Sequence, residues 1–150
     1  MFYRRVLIGI ASLLGMIVVS ESGHTQDGVD PVLRAAIAGA DVAAGQALSL
    51  RCVACHTFDA GGADRVGPNL YEVVGRVKGG EENFNYSPAF QALAAAGSIW
   101  TYEDLNSFLA DPRVAIVGTR MGVAGISGDA DRHNLIAYLR SLSASPAPLE

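Results

Sequence analysis

The sequence contains very little lysine and cysteine, and both shortages exclude classes of protein. Its 150 residues hold one lysine, Lys78, and two cysteines, and the formal net charge is −4 at pH 7. A chain so poor in lysine and negative overall lacks the basic surface through which proteins bind nucleic acid. A zinc knuckle needs a second Cys or His pair, and neither His24 nor His133 lies at a suitable spacing. Nucleic-acid binding and a structural zinc site are therefore excluded.

The sequence also lacks a sustained strand pattern and internal repeats. Apolar residues instead recur at helical spacing near the end of the chain, at Leu135, Ile136, Leu139 and Leu142. Ser87-Pro88 and the sequence from Thr101 to Asp104, which resembles a capping box, mark the starts of two further helices. Half of the residues are hydrophobic, which is enough for the core of one domain. We predict a single all-α domain built from short helices and long loops.

The N-terminal segment has the composition of an export signal. Arg4 and Arg5 supply a positive start, and residues 6–19 form an apolar run interrupted only by Ser12. This run is shorter than the roughly 20 residues that span a bilayer. Residues 1–22 are therefore predicted to be a signal peptide. An uncleaved membrane anchor is the alternative, because the sequence before the expected cleavage site is Val-Val-Ser rather than Ala-x-Ala. In either case we expect the rest of the chain outside the cytoplasmic membrane, in the periplasm of a bacterium.

Turn-forming residues divide the rest of the chain into three parts. Residues 23–40 are predicted to be a linker punctuated by glycine and proline, within which residues 31–38 can form a short helix. Asp41 is a favourable N-cap, so the folded domain is predicted over residues 41–142. Residues 143–150 contain two prolines and are predicted to be a flexible tail.

A Cys-x-x-Cys-His motif occupies Cys52, Cys55 and His56. This motif is typical of covalent attachment of a c-type haem, in which two thiols add to the vinyl groups and the adjacent imidazole takes one axial position on the iron. Thiols three residues apart lie on one face of a helical turn. A thioredoxin-type redox pair would need a βαβ setting, which the sequence does not predict. We therefore expect one covalently bound haem c, which also fills the centre of a small core.

A low-spin electron carrier needs a second axial ligand, and Met121 is the only methionine outside the signal segment. It lies in a glycine-rich loop that can place its sulfur over the iron. A thioether ligand favours the ferrous state and raises the reduction potential. His133 is the alternative ligand, but its place among polar residues in the middle of the last helix favours a surface position.

The order of further motifs resembles that of class I cytochrome c, close to the mitochondrial type and its bacterial relatives. The matching stretches cover about residues 41–142 and are Cys52 to Thr57, Val66 to Leu70, Gly75-Arg76, Tyr86-Ser87, Trp100, Leu109 to Pro112, Gly118 to Met121 and Leu135 to Leu139. The resemblance implies the cytochrome c fold, with short helices and loops wrapped around one covalently bound haem.

The resemblance also implies a role for each matching residue. Cys52 and Cys55 would bond the haem, while His56 and Met121 would ligate its iron. The backbone carbonyl of Pro68 would accept the other ring N–H of the histidine and fix its orientation. The residues that match the family's hydrogen-bond donors to the haem propionates are Arg76, Tyr86, Trp100 and Thr119.

Several positions bear on how closely the chain follows the family. Gly45 and Tyr138 match the crossing of the first and last helices, where a small residue permits close approach. Ser49 stands where an aromatic residue is common, so we expect a weaker crossing. Phe108 replaces the tyrosine often found near the Met ligand, and Val123 stands where many relatives have phenylalanine at the haem edge.

The ring of lysines that surrounds the haem edge in this family is absent. From Gly23 onward, nine Lys and Arg stand against fourteen Asp and Glu, a net charge of −5. Arg51, Arg113 and Arg120 would leave a small positive rim. We expect docking to depend less steeply on salt than docking of a strongly basic carrier.

Together these features predict a one-electron carrier rather than an enzyme. It would pass electrons from a quinol-oxidising complex to an oxidase or another acceptor. One alternative is a haem relay domain tethered within a larger redox assembly, which requires that residues 1–20 remain uncleaved and would bring membrane contact. The other is a haem enzyme or sensor with a labile sixth ligand, against which Met121 argues.

The single lysine generates a prediction about alkaline pH. Relatives can exchange the Met ligand for a deprotonated lysine, whereas arginine keeps its proton and cannot take that place. We therefore expect no Lys-ligated species when the pH is raised to about 10. A pH titration of the ferric protein followed by optical spectroscopy checks this, and a Lys-ligated spectrum would contradict it unless Lys78 reaches the iron.

Overall fold

The computed structural model describes residues 30–149, and the predictions for residues 1–29 lie outside this range. The described part contains the helices α1 (Pro31–Ala38), α2 (Val42–Ser49), α3 (Pro88–Ala95), α4 (Tyr102–Ala110), α5 (Pro112–Ala115) and α6 (Asp129–Ser141). Within residues 30–149, extended backbone pairs only in one antiparallel bridge, between Val77 and Ile99. No helix in that range is long and apolar enough to cross a membrane. The predicted all-α architecture is confirmed.

The predicted helix starts are confirmed, because the side chains that mark them accept backbone hydrogen bonds. Asp41 accepts from the second and third residues of α2, and Ser87 accepts from Phe90 in α3. Thr101 and Asp104 form a reciprocal capping box at the start of α4. Each cap satisfies N–H groups that a helix leaves unpaired at its first turn. These local interactions fix where the helices begin before any long-range packing is considered.

The centre of the fold is the crossing of α2 and α6. A Cβ atom built on Gly45 would lie 1.9 Å from the carbonyl oxygen of Asn134, so only glycine permits the two backbones to approach so closely. Ser49 is buried in the same helix and donates a hydrogen bond to the Gln46 carbonyl at 2.7 Å. Tyr138 lies near the crossing, with its ring centroid 6.0 Å from that of Phe58. The inner face of α6 is fully buried through Leu135, Ile136 and Leu139.

The short helix expected at residues 31–38 is present as α1, but it packs against α6 and α4 rather than serving as a linker. Leu33 and Ile37 belong to the buried core. The Arg34 guanidinium lies 5.4 Å from the centroid of the Tyr102 ring. Glu103 accepts hydrogen bonds from the same guanidinium and from the backbone N–H of Asp30. The packed part of the described chain therefore includes residues 30–40, which precede the predicted start at residue 41.

The structure also places the predicted flexible tail against the domain. The carbonyl oxygen of Ala147 accepts hydrogen bonds from the Tyr102 hydroxyl at 2.7 Å and from Arg140 Nε at 2.8 Å. Ala147 and Leu149 pack against the core. The two terminal segments of the described chain thus meet at the same side chain, Tyr102.

Removing core contacts of α1 should lower the free energy of unfolding. Ile37 is 2% exposed, so Ile37→Ala is expected to cost about 2–5 kcal/mol through lost burial and the cavity left behind. Val32 on the same helix is 77% exposed, and Val32→Ala should change stability by less than about 0.5 kcal/mol. Denaturant unfolding measures both variants. Equal and negligible effects would contradict the assignment of α1 to the core.

Candidate haem site

A cavity of about 400 Å³ opens between the helices and the loops, within the size range of ligand-binding pockets. Its lining includes every residue that the sequence predicted for the site: Cys52, Cys55, His56, Pro68, Arg76, Tyr86, Trp100, Thr119 and Met121. Most of the remaining lining is apolar, and no Asp or Glu of the described chain contributes to it. The cavity therefore suits a large and mainly apolar group.

The predicted attachment motif forms a helical turn directly after α2. The backbone N–H groups of Cys55 and His56 both donate to the carbonyl of Cys52, at 3.0 and 2.9 Å. Both thiols are half-buried and free. Burial raises the pKa of the Cys52 thiol, and the positive charge of Arg51 opposes that effect. The turn presents two unpaired thiols and an imidazole to the same cavity.

The His56 ring is held in one orientation. Its Nδ1 lies 2.6 Å from the carbonyl oxygen of Pro68, and because a carbonyl only accepts, Nδ1 carries the proton. A Cβ atom built on Gly67 would lie 2.3 Å from Cε1 of the ring, so the ring rests directly on this glycine. Burial lowers the pKa of His56, against the opposing hydrogen bond to Pro68. A neutral ring of this tautomer leaves Nε2 available to bind a metal.

Met121 lies in the loop between α5 and α6 and packs against the core. Its backbone N–H donates to the Thr119 hydroxyl at 3.2 Å. Arg120 Nη1 donates to the carbonyl of Asn85 at 2.9 Å, which ties this loop to the loop before α3. Met121 is thus held by the Thr119 hydroxyl and by the attachment of the neighbouring Arg120 to the loop before α3.

Two residues that the sequence did not single out hold the end of this loop. A Cβ atom on Gly125 would lie 1.7 Å from the carbonyl oxygen of Ala110, so glycine lets the loop run along the end of α4. Arg132 is buried and donates to the carbonyls of Ile126 and Ser127 at 2.8 and 2.9 Å. Arg132 also donates to the Asn106 side chain of α4 at 2.8 Å, a contact between distant segments that no spacing rule reveals.

The bridge between Val77 and Ile99 places two predicted propionate donors side by side. The backbone N–H of Trp100 donates to the carbonyl of Arg76 at 2.8 Å, and the backbone carbonyl of Trp100 accepts from the N–H of Gly75 at the same distance. The Trp100 ring packs at a tilt against the aromatic core, its centroid 5.0 Å from that of Phe108. This pairing of backbones fixes one donor relative to the other.

The Arg76 side chain has partners that the sequence did not predict. It donates to the Asn69 carbonyl at 2.6 Å and pairs with the Glu81 carboxylate at 3.1 Å. Nearby, burial raises the pKa of the Tyr86 hydroxyl, while the Arg76 charge acts in the opposite direction. Arg76 therefore reaches the cavity wall with part of its hydrogen-bonding capacity already used.

The remaining candidate ligands lie away from the cavity. His133 is half-buried in α6 and is not among the lining residues. Lys78 is buried, pairs with Asp104 at 2.8 Å and also lies outside the lining. Within the part of the chain that is described, no group of three or more His, Cys, Asp or Glu could hold a metal ion by itself.

The fold and the cavity define a class of protein: a small all-α domain with a covalent attachment turn for haem. Residues 42–143 match the family model for cytochrome c, and the chain belongs to that family. The predicted family, fold class and cofactor are confirmed. As a member of this family, the protein carries one covalently bound haem c and serves as an electron carrier rather than an enzyme.

Known relatives agree with this assignment. The chain is 44% identical over 138 residues to a cytochrome c homolog of Bradyrhizobium diazoefficiens, across 88% of this chain and 73% of that protein. It is 43% identical over 110 residues to cytochrome c2 of Agrobacterium tumefaciens, across 73% of this chain and 98% of that one. Among solved structures, cytochrome cH from Methylobacterium extorquens superposes with a TM-score of 0.59 at 37% identity and covers 67% of this chain and 98% of its own.

The residues of the cavity fit a haem. The free thiols of Cys52 and Cys55 suit two thioether bonds, and the apolar lining suits the porphyrin faces. Gly67 contributes by its small size, because it leaves room for the His56 ring to lie against the backbone. A haem in the cavity would be held by the two cysteines, with the imidazole of His56 on one side.

Replacing Gly67 by Ala should disturb His56 specifically. The added methyl group would overlap the ring at 2.3 Å, so the imidazole must rotate and lose its bond to Pro68. We expect an altered spectrum of the haem-loaded protein and a lower unfolding midpoint. Gly39→Ala is the matched control, because a Cβ there meets its nearest neighbour at 3.6 Å. A native spectrum in Gly67→Ala would show that the ring does not depend on this contact.

Proposed function

We propose that the protein is a one-electron carrier whose haem iron is ligated by His56 and Met121. The observation that supports this most directly is that both side chains line the same cavity as the two attachment thiols. The contact between His56 Nδ1 and the Pro68 carbonyl, at 2.6 Å, adds the orientation that an axial ligand needs. When bound, the haem supplies a one-electron couple. The chain's own work is to exclude water, hold the ligands and set the potential.

The polar wall of the cavity supports a role for the remaining predicted residues. Arg76, Tyr86 and Trp100 lie on one side of the lining and would donate hydrogen bonds to the haem propionates. Within residues 30–149 the Trp100 indole N–H donates no hydrogen bond to the protein, so it remains available to such a group. Thr119 accepts from the backbone of Met121 and keeps its own hydroxyl proton free to donate.

The mouth of the cavity supports electron exchange with protein partners. Val66 and Val123 line it and are 78% and 51% exposed. Arg51 and Arg120 are exposed at the same mouth, and the lining carries no carboxylate of the described chain. An apolar centre with a positive margin suits a small, transient interface with a partner that is acidic at its edge. We propose a quinol-oxidising complex as the donor and an oxidase or similar acceptor as the recipient.

The proposed place of action is the periplasm, after removal of residues 1–22. The composition of that segment supports export, and the relatives named above include bacterial cytochromes c2. The alternative, a domain held at the outer face of the cytoplasmic membrane, requires that the segment be kept. The mass of the mature protein distinguishes the two forms.

Replacing Met121 by Ala tests the ligation. The native ferric protein should show the far-red band of sulfur bound to iron, and the variant should lose it. With the sixth position open, the variant should also have a lower reduction potential and gain peroxidase-like activity that the native protein lacks. Val123→Ala, at the same cavity mouth, is the control and should retain the band. Absence of the band from native protein, or its persistence in Met121→Ala, would refute His/Met ligation.

A further inference from the structure

The single lysine of the chain is buried behind the wall of the haem cavity. The Lys78 side chain is 9% exposed, and its Nζ lies 2.8 Å from a carboxylate oxygen of Asp104. The same Nζ lies 5.4 Å from the centroid of the Trp100 ring. Trp100 itself lines the cavity, whereas Lys78 does not. One aromatic ring thus separates a buried cation from the space that the haem occupies.

The two charges of this pair are unequally buried. The Asp104 side chain is 40% exposed, so water screens its carboxylate far more than it screens the ammonium group. Asp104 Oδ2 also accepts from the backbone N–H and the hydroxyl of Thr101 in the capping box of α4. These hydrogen bonds hold the carboxylate at the start of the helix and partly offset its negative charge. The ammonium end of the dipole that this pair forms is the less screened end and lies 5.4 Å from the Trp100 centroid, so the pair acts on the cavity mainly through its positive charge.

The backbone fixes the position of this dipole relative to the cavity. The backbone N–H of Lys78 donates to the carbonyl of Ser98 at 2.7 Å, and the backbone N–H of Trp100 donates to the carbonyl of Arg76 at 2.8 Å. Both bonds flank the bridge between Val77 and Ile99. The cation consequently has one defined place beside the ring rather than the wide range of a surface lysine.

We propose that Lys78 and Asp104 tune the reduction potential of the haem, the lysine raising it and the aspartate lowering it. A positive charge near the haem favours the ferrous state, because reduction adds one negative charge to the group. Lys78 is the more buried charge and outweighs Asp104, so the intact pair raises the potential. Lys78 is a positioning residue that acts across Trp100 and touches neither the iron nor its ligands. The inference rests on the proposed placement of the haem in this cavity, with the attachment thiols and His56 in its lining.

Charge-removing variants of the haem-loaded protein test this by redox titration. Lys78→Met is expected to lower the midpoint potential, and Asp104→Asn is expected to raise it. The double variant should fall between the two single variants and below the native protein, because the dominant positive charge is gone. Lys78→Arg keeps the charge and should remain close to native. Since a loosened Trp100 would move both single variants in one direction, opposite shifts identify an electrostatic effect.

A matched control and two further readouts complete the experiment. Glu103→Gln removes the same charge from the neighbouring position, where the carboxylate pairs with Arg34 at 3.5 Å instead, and should raise the potential less than Asp104→Asn. The far-red sulfur-to-iron band should persist in every variant, which separates this inference from the proposed His/Met ligation. Denaturant unfolding reports on the fold independently. Shifts of the same sign in both single variants, or no shift in either, would overturn the proposal.

Discussion

The close approach of α2 and α6 is the contact on which the rest of the molecule depends. Gly45 is the point at which the two backbones meet, since any side chain there would overlap the Asn134 carbonyl. α2 continues directly into the attachment turn, and α6 contributes Leu135 and Leu139 to the cavity lining. The crossing therefore sets the distance between the covalent attachment point and the apolar floor on which the cofactor rests. A shift of either helix would change the position of the attachment turn relative to the apolar residues of α6.

Much of the fold and site followed from the sequence because their signals are local. The attachment motif, the N-caps and the apolar spacing of α6 each act over a few residues, and the order of the family's motifs connects them. The terminal segments were harder to predict. In α1 only Leu33 and Ile37 are buried. A sequence pattern of two apolar residues in a segment bounded by proline and glycine is equally compatible with a packed helix and with a linker. The tail is held mainly through the backbone carbonyl of Ala147, a group present at every residue.

The contacts that sequence reasoning missed share one physical origin. Gly67 and Gly125 pack against groups that come near only after the loops have closed around the cavity, and Arg132 donates to Asn106 on the distant helix α4. The pairing of Lys78 with Asp104 depends on a single bridge between two loops that show no strand pattern. Such contacts carry no periodicity, so their chemical importance appears only in three dimensions.

The burial of Lys78 has a consequence for the covalent chemistry of the surface. Among the described residues, this is the only primary amine, and it is shielded by Asp104 and by the face of Trp100. Reagents that acylate amines, and cross-linkers built on them, would find no readily accessible lysine among residues 30–149. Reaction at Lys78 would require the segment around Val77 and Ile99 to open, so its rate would report local unfolding next to the haem. The reactivity of Lys78 would therefore measure how often this part of the domain opens locally.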